Sequence, residues 1–262
     1  MISYPNAVWK AGLPPLLYLM DRSIPATNTG AEAEHSRAVR EMFSGIASKY
    51  DLLNHLLSLN IDKSWRRRVR KRLGEILDRE DATVLDVACG TGDLSLELKH
   101  NAKASVIGTD FCRPMLSIAA EKSKDISIPY IEADAMSLPF PSEVFDAVTI
   151  AFGLRNLPNV DNGLRELYRI LKPGGALVIL EFSSPVIPGF RQLFNFYFGS
   201  VLPRIGGIVS GSRAAYMYLP NSVKKFPDQK ALAAKLIEVG FDQVEFKNLT
   251  GGIAAIHAGI KP

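Results

Sequence analysis

The feature that most constrains the fold is an alternation of short β-branched runs and amphipathic segments between residues 83 and 182. The runs are TVLDVA (83–88), SVIGTD (105–110), ISIPYIEAD (126–134), FDAVTIAF (145–152) and ALVILEF (176–182). Several segments between them space apolar residues three or four apart, which is the helical period. Strands that alternate with helices form parallel, doubly wound sheets with right-handed crossovers. QVEFKNL and GIAAIHAGIK add two strands, so we predict an α/β fold with a mostly parallel, seven-stranded, Rossmann-like sheet.

The remainder of the 262 residues divides into an extension, a helical cover and an insert. Residues 1–35 hold several prolines and then a polar stretch, and we predict a flexible N-terminal extension there. We predict a single domain for residues 36–262. Within it, residues 36–80 show two amphipathic helical patterns, and the second, Lys63–Leu77, carries a basic run on its outer side. Residues 185–226 are apolar, aromatic and irregular, and form an insert after the fifth strand.

Composition excludes several classes of protein. No run of 18 apolar residues occurs, so we expect no transmembrane helix. Cys89 and Cys112 are the two cysteines, which fits a reducing cytoplasm better than a disulfide framework. The net charge of +4 is too small to indicate a nucleic-acid-binding protein. No Cys/His cluster has the spacing of metal ligands, so we expect no metal.

The first strand leads into a glycine-rich turn, VLDVACGTGDL (84–94), and a helix begins directly after it. Glycine lets the backbone turn sharply and approach a ligand closely. Amides at the start of a helix can hold a polar or anionic group. A dinucleotide fingerprint requires a third glycine where Ser95 stands, and no Lys follows as a phosphate loop requires. The turn around Gly90 is therefore predicted to bind a ligand that has no pyrophosphate.

Acidic residues follow the next two strands. Asp110 ends the second strand, and Asp134 follows the third strand beside Glu132. A carboxylate at the end of the second strand suits a ribose diol. A further acid at the same sheet edge suits the exocyclic amine of adenine. An adenosine held by acids, without a pyrophosphate cradle, matches S-adenosylmethionine, which we expect as the cofactor.

The motifs DVACGTG, GTDF, EADAMSLPF and LKPGG, in this order, resemble a class I S-adenosylmethionine-dependent methyltransferase. More narrowly, FSGIASKYDLLNHLLSL, FDAVTIAFGLRNL, LKPGGALVILEFS and the C-terminal segment resemble the ubiquinone/menaquinone biosynthesis C-methyltransferase family. The similarity extends from about Ala38 to the C-terminus. The glycine-rich turn is shared across the superfamily, whereas FGLRN and the KYD motif are specific to this family.

The resemblance implies methyl transfer to a ring carbon of a polyprenylated quinol. It implies cofactor contacts at Thr91, Asp110, Asp134 and Ala135, and Ala151 stands where the family often has a serine. Demethylmenaquinol is the preferred substrate, because FRQLFNFYF resembles the insert of menaquinone-pathway members. The benzoquinol of ubiquinone biosynthesis is the alternative. An RNA methyltransferase and a non-catalytic scaffold of a quinone-synthesis complex are the other hypotheses.

Three residues are candidates for catalysis. Arg155 directly follows the fourth strand and is expected to stabilise the quinolate and orient a water. Asn156 is expected to hydrogen-bond a quinol oxygen, and Tyr50 resembles the family's tyrosine at the pocket mouth. The sequence also permits structural roles for them: an ion pair with a surface acid, a cap of the turn before Pro158, and a core aromatic, respectively. His55 is a candidate base, because the pKa of histidine lies near neutral, or an ordinary surface or capping histidine, and His257 is similarly ambiguous.

Two features indicate contact with lipid. Five aromatic residues crowd the insert and are predicted to pack in the core or to form a lid over the polyprenyl chain: Phe190, Phe194, Phe196, Tyr197 and Phe198. The run RRRVRKR (66–72) is either a solvated helix face or a patch facing anionic lipid. We expect a cytoplasmic enzyme with peripheral contact to an anionic membrane and no nucleic-acid partner. Whether it forms a homo-oligomer stays open.

Overall fold

The computed structural model describes residues 30–51, 60–187, 192 and 213–262. The cover begins with helix α1, Gly30–Ile46, which is followed by a 3-10 turn, Ala47–Lys49. The helix starts six residues before the predicted start at Ser36, inside the segment predicted to be flexible. Alanine and glutamate alternate in this first turn, and both residues favour helix.

The second part of the cover consists of helix α2, Ile61–Arg72, and the short helix α3, Gly74–Leu77. Its apolar side is buried as predicted, with Trp65 and Val69 at 4 % and 0 % exposure. The prediction that the whole basic run points outward is wrong for Arg66, which is buried. A guanidinium can be buried when carboxylates surround it, and Arg66 has two such partners, as described below.

All seven predicted strands are present in one sheet, in the order β3-β2-β1-β4-β5-β7-β6. The strands are β1 Thr83–Val87, β2 Ser105–Asp110, β3 Tyr130–Glu132, β4 Phe145–Ala151, β5 Leu171–Phe182, β6 Asp242–Leu249 and β7 Ala254–Ile260. The first five are parallel, and β7 pairs antiparallel with both β5 and β6. β3 lies at an edge, as Pro129 predicts.

Helices cover both faces of the sheet. They are α4 Asp93–Lys99, α5 Arg113–Lys122, α6 Val160–Ile170, α7 Arg213–Lys225 and α8 Gln229–Val239. The sequence predicts that Pro173 and Gly174 stop helix α6, but α6 already ends at Ile170 and β5 begins with Leu171. Leu171 pairs with Phe145 across the sheet, so strand pairing overrides the helical pattern there.

Two apolar cores lie on opposite faces of the sheet. One packs Leu164 of α6 and Leu236 of α8 against the strands, and the other packs Val69 of α2 and Leu98 of α4. Burying a side chain of this size contributes about 1.5–3 kcal/mol. Both faces are thus sealed, and ligands have access at the strand ends. Within the described ranges, no helix is long and apolar enough to cross a membrane.

Candidate active site

A pocket of about 700 Å³, open solvent included, lies at the carboxyl ends of the parallel strands. The strand order reverses there, because β2 and β4 flank β1 on opposite sides, and such switch points are where doubly wound sheets bind ligands. The pocket brings together six of the eight predicted site residues: Tyr50, Gly90, Asp110, Asp134, Ala135 and Asn156. Ser36 and Phe43 of α1 also line it, so the cover forms one wall.

The glycine-rich turn forms the floor of the pocket. Gly90 and Gly92 have φ values of 56° and 81°, in the left-handed region that favours glycine. A Cβ atom at Gly92 would lie 2.7 Å from the Tyr130 hydroxyl, so a side chain there would clash. The Gly90 amide donates a 2.8 Å hydrogen bond to Asp110, which fixes the turn against the end of β2.

Asp110 has the geometry expected of a ribose ligand. Its Oδ2 accepts from the Gly90 amide and its Oδ1 accepts from the Cys112 amide, each at 2.8 Å. A carboxylate has about four acceptor sites, so each oxygen keeps capacity for a hydroxyl donor. Burial raises the pKa of Asp110 to about 6, although the two amides act against the shift. The group is therefore mostly ionised at neutral pH and ready to accept hydrogen bonds from a diol.

A second buried carboxyl, Asp86, lies beneath the turn. It accepts hydrogen bonds from Ser95 Oγ at 2.6 Å and from Thr149 Oγ1 at 2.8 Å. Burial raises its pKa to about 6 as well. Asp86 does not line the pocket, so its role is to join β1, β4 and α4 below the ligand.

Asp134 and Ala135 lie at the adenine end of the predicted site. Asp134 Oδ1 accepts from the Met136 amide at 2.9 Å, which holds the carboxylate in place after β3. Both residues line the pocket. Ala151, where the family often has a serine, lines it from the end of β4.

Thr91 does not line the pocket. Its side chain is buried, and its hydroxyl donates a 2.5 Å hydrogen bond to Asp51 of the cover. The structure therefore places the Thr91 hydroxyl away from the ligand space, although the residue belongs to the glycine-rich turn.

Arg155 does not line the pocket either. Its Nη1 donates 2.6 Å hydrogen bonds to Glu181 Oε1 and to the Phe152 carbonyl, and its guanidinium lies 5.2 Å from the centre of the Phe182 ring. Glu181 is only 1 % exposed, so this is a buried ion pair. Arg155 thus forms an ion pair, but with a buried carboxylate and not with the surface acid that the sequence permits. Its Nε is buried and has no hydrogen-bond partner within the described residues.

Asn156 connects the pocket to three other segments. Its Nδ2 donates to the Phe152 carbonyl at 3.3 Å, and its Oδ1 accepts from the Tyr218 hydroxyl at 3.2 Å. The ring of His35 on α1 lies 3.2 Å from the Asn156 carbonyl. Tyr50 packs edge-on against Phe43, with ring centres 5.9 Å apart.

The two candidate histidines and the aromatic cluster of the insert lie in different parts of the chain. His257 is buried in the sheet, and its Nε2 lies 2.9 Å from the Gln229 carbonyl. It is therefore a structural residue of the core. His55 and the aromatic cluster at 190–198 lie outside the described residues. Across the described ranges, no cluster of His, Cys, Asp or Glu could hold a metal ion.

Solved structures share this architecture. A Thermotoga maritima S-adenosylmethionine-dependent methyltransferase, titled a possible histamine N-methyltransferase, matches with a TM-score of 0.61 at 17 % identity, over 85 % of this chain and 99 % of that one. A Haemonchus contortus phosphoethanolamine N-methyltransferase, solved with S-adenosylhomocysteine, matches with a TM-score of 0.52 at 16 % identity, over 73 % of this chain and 52 % of that one. At such low identity these likenesses show the fold. The fold is therefore the one that these methyltransferases share.

The family follows from sequence comparison. The model of the ubiE/COQ5 methyltransferase family matches residues 30–261, and the chain belongs to this family. A demethylmenaquinone methyltransferase from Thermus thermophilus is 49 % identical over 84 % of this chain and 100 % of its own length. An Escherichia coli ubiquinone/menaquinone biosynthesis C-methyltransferase is 39 % identical over 93 % of this chain and 100 % of its own length. The resemblance found in the motifs is thereby confirmed.

S-adenosylmethionine is the cofactor, and the residues present fit it. Asp110 keeps acceptor capacity that a ribose diol would use, and Asp134 lines the same pocket, where its carboxylate would meet the adenine amine. Gly90, the positive-φ glycine that lines the pocket, adds no side chain to it. Ser95, where a dinucleotide fingerprint would have its third glycine, is buried and donates to Asp86.

Sequence reasoning missed three residues that the structure brings to this region. Glu181 is the last residue but one of β5, so a search for acids at strand ends, which found Asp110 and Asp134, would have found it too. Asp51 follows Tyr50 in the KYD motif, so the motif marked this residue, but nothing in the sequence indicated what it does. Tyr218 had no signal, because its partner Asn156 is 62 residues away in the sequence.

Proposed function

We propose that this chain transfers the methyl group of S-adenosylmethionine to a ring carbon of a polyprenylated quinol, with demethylmenaquinol as the substrate. The proposal is supported by the names of the relatives, among them demethylmenaquinone methyltransferases at 49 % and 46 % identity. The observation that carries it is the polar cluster of Arg155, Asn156 and Tyr218 beside the cofactor pocket. Phe152 and Phe182, with ring centres 4.7 Å apart, provide the aromatic surroundings that a quinol ring needs.

The reaction requires a positioned ring and a stabilised quinolate. When bound, S-adenosylmethionine supplies an electrophilic methyl group. Arg155 is proposed to donate to a quinol oxygen that binds beside the pocket. Its Nε has no partner within the described residues, whereas its Nη1 is held by Glu181 and the Phe152 carbonyl. A buried donor of this kind stabilises developing negative charge strongly, since water is excluded. Arg155 stays protonated, so it acts as a hydrogen-bond donor and not as the base.

Asn156 and Tyr218 orient the ring. Burial raises the pKa of Tyr218, so its hydroxyl keeps its proton at neutral pH and donates to Asn156 Oδ1. This donation fixes the Asn156 amide with its Nδ2 side toward the Phe152 carbonyl. Tyr50, which lines the pocket from the cover, borders the space where methyl donor and ring meet.

The benzoquinol of ubiquinone biosynthesis is the second candidate substrate, because relatives at 39–45 % identity carry names for both pathways. The test is the quinone profile of a strain that lacks this gene, measured by mass spectrometry. We expect accumulation of demethylmenaquinone, reversed by the intact gene. Accumulation of an unmethylated benzoquinone would identify the alternative, and an unchanged profile would contradict both.

We also propose that the enzyme contacts anionic lipid peripherally, because a polyprenylated quinol resides in the bilayer. The basic face of α2 supports this: Lys63, Arg67 and Lys71 recur every four residues and are all exposed. Trp65, on the other side of α2, packs 6.1 Å from Phe152 at the site. The basic face is thus carried by a helix that touches the substrate region.

A further inference from the structure

A chain of alternating charges joins the cover to the glycine-rich turn. Asp51 accepts from the buried Thr91 hydroxyl through Oδ1 and from Lys122 Nζ, at 2.7 Å, through Oδ2. Lys122, at the end of α5, also pairs with Asp93, the first residue of α4. Asp93 in turn accepts from Arg66 of α2 at 2.8 Å, and Arg66 pairs with Asp62. Asp51 is therefore bonded directly to the glycine-rich turn and to α5, and through Lys122 and Asp93 it is linked to α4 and α2.

The position of Asp51 matters because of its neighbour. Tyr50 directly precedes it and lines the pocket, with its Cε1 4.0 Å from the place where a Cβ at Gly90 would lie. Fixing the backbone at Asp51 thus fixes the tyrosine against the turn. The ring has Phe43 as its partner on the same cover.

The Thr91 hydroxyl points into this anchor. Thr91 is 2 % exposed and does not line the pocket, so a threonine expected to contact the cofactor instead donates to the cover. Lys122 and Asp51 keep 27 % and 28 % side-chain exposure. Their attraction is consequently open to screening by salt.

We propose that Asp51 is a positioning residue that holds the cover, and with it Tyr50, over the cofactor pocket through Thr91 and Lys122. The pocket wall formed by α1 and Tyr50 is preorganised by this anchor before a ligand binds. The inference rests on the proposed function only where quinol turnover is the readout, because cofactor binding can be measured alone.

The test is a double-mutant cycle on binding of S-adenosylhomocysteine, measured by calorimetry with the full chain. Asp51→Ala and Thr91→Val should each weaken binding by about tenfold, and the double variant should be no weaker than either one. Glu121→Gln is the matched control, because Glu121 is an exposed carboxylate next to Lys122 that pairs with Lys124 outside the anchor. Its affinity should stay within about twofold of the wild type.

Two results would overturn the proposal. One is wild-type affinity in Asp51→Ala. The other is a double variant that binds S-adenosylhomocysteine about a hundredfold more weakly than the wild type, which is the product of the two single losses. This result would mean that Thr91 contacts the cofactor independently. Should Asp51→Ala not fold, Asp51→Asn keeps an acceptor for Thr91 but loses the charge that Lys122 meets. Salt should then weaken S-adenosylhomocysteine binding in the wild type more than in Asp51→Asn, and equal salt dependence would contradict the anchor.

Measuring turnover of the quinol separates this inference from the proposed function. Asp51→Ala should lower kcat with demethylmenaquinol, and the effect should largely disappear in a Tyr50→Phe background. A purely structural role of Asp51 would leave the same loss in both backgrounds. A wild-type enzyme that binds S-adenosylhomocysteine but methylates no quinol would refute the proposed function and leave the binding result intact.

Discussion

At the scale of single residues, we propose that Asp110, as the ribose ligand, links pH to cofactor binding. Its pKa is raised to about 6 by burial, and the ionised form is the one that accepts from ribose hydroxyls. Protonation removes an acceptor, so affinity should fall as the pH drops through 6 and stay level above it. We expect S-adenosylhomocysteine to bind about tenfold more weakly at pH 5 than at pH 7.5, measured by calorimetry.

The control for this prediction is Asp110→Asn, which cannot ionise. The variant should bind more weakly at neutral pH, and its affinity should change little between pH 5 and 7.5. Asp86 also has a pKa near 6, so Asp86→Asn distinguishes the two groups. If Asp86→Asn removed the pH dependence while Asp110→Asn kept it, the assignment to Asp110 would be wrong.

The buried pair of Arg155 and Glu181 allows stability and turnover to be separated. Glu181→Gln leaves the Arg155 charge without its carboxylate, so the free energy of unfolding should fall by about 3 kcal/mol. Methyl transfer should fall by about a hundredfold, because the guanidinium loses its fixed position. Arg155→Ala should abolish transfer, with cofactor binding nearly intact. Denaturant unfolding and an initial-rate assay measure the two effects.

The double variant Arg155→Met/Glu181→Leu provides the control. Replacing both charges by apolar groups should restore most of the lost stability. Turnover should stay absent, because no donor remains for the quinol oxygen. Wild-type turnover in the double variant would show that the pair only stabilises the fold.

At this scale the sequence indicates which residues share a pocket where they stand at the ends of parallel strands. Asp110 and Asp134 lie in the pocket because parallel strands end at one edge. The orientation of Arg155 was not predictable, since it depends on Glu181, which is 26 residues away in the sequence. Thr91 faces the cover for the same reason, because its partner Asp51 is 40 residues away.

At the scale of elements, the packing of β2 against β3 depends on the absence of a side chain at Gly108. A Cβ there would lie 2.6 Å from two carbons of the Tyr130 ring and 3.1 Å from Cys89 Sγ. Gly108→Ala should therefore lower the free energy of unfolding by about 2 kcal/mol, through overpacking. Thermal and denaturant unfolding measure the change.

A second glycine serves as the matched control. Gly45 lies in α1, is exposed, and a Cβ there would meet nothing within 4 Å. Gly45→Ala should raise the free energy of unfolding by about 0.5–1 kcal/mol, because alanine loses less backbone entropy in a helix. Equal destabilisation by both substitutions would mean that Tyr130 does not restrict Gly108.

Element prediction was accurate where one pattern dominated. The run SVIGTD matches β2 residue for residue, and its neighbours β1 and β4 agree to within one residue at their ends. It failed at LKPGG, where a helical apolar period continues into residues that pair as a strand. Lys172 of this stretch bonds Asp146 of β4 at 2.7 Å, and that tertiary contact does not appear in the local sequence.

At the scale of the whole molecule, seven strands were predictable but their order was not. Helix-strand alternation implies parallel neighbours, whereas the insertion of β7 between β5 and β6 depends on pairing across the C-terminal segment. The division into cover and sheet was also predictable, because the spacing of apolar residues changes from the helical period to short strand-like runs. The contact between them was not, because it depends on the charges around Asp51.

The basic face of α2 yields a prediction for the molecule as a peripheral protein. Changing Lys63, Arg67 and Lys71 to Gln should weaken binding to vesicles that contain phosphatidylglycerol by about a hundredfold, at about 1 kcal/mol per charge. Co-sedimentation measures the binding, which should also decline with salt.

The matched control removes the same number of charges elsewhere. Lys124, Arg165 and Lys230 are exposed cations on other helices or turns, and changing them to Gln should leave vesicle binding near wild type. Equal loss in both triple variants would assign binding to net charge and not to α2. Binding that ignores salt and anionic lipid alike would contradict the membrane proposal.

The most direct test of the central claim is methyl transfer by the purified chain. It requires methyl-labelled S-adenosylmethionine, reduced demethylmenaquinone in vesicles, and mass spectrometry of the extracted quinones. The account predicts labelled menaquinone with the new methyl group on a ring carbon, and none with Arg155→Ala, although that variant still binds S-adenosylhomocysteine. A wild-type chain that binds S-adenosylhomocysteine yet leaves demethylmenaquinol unlabelled would contradict it.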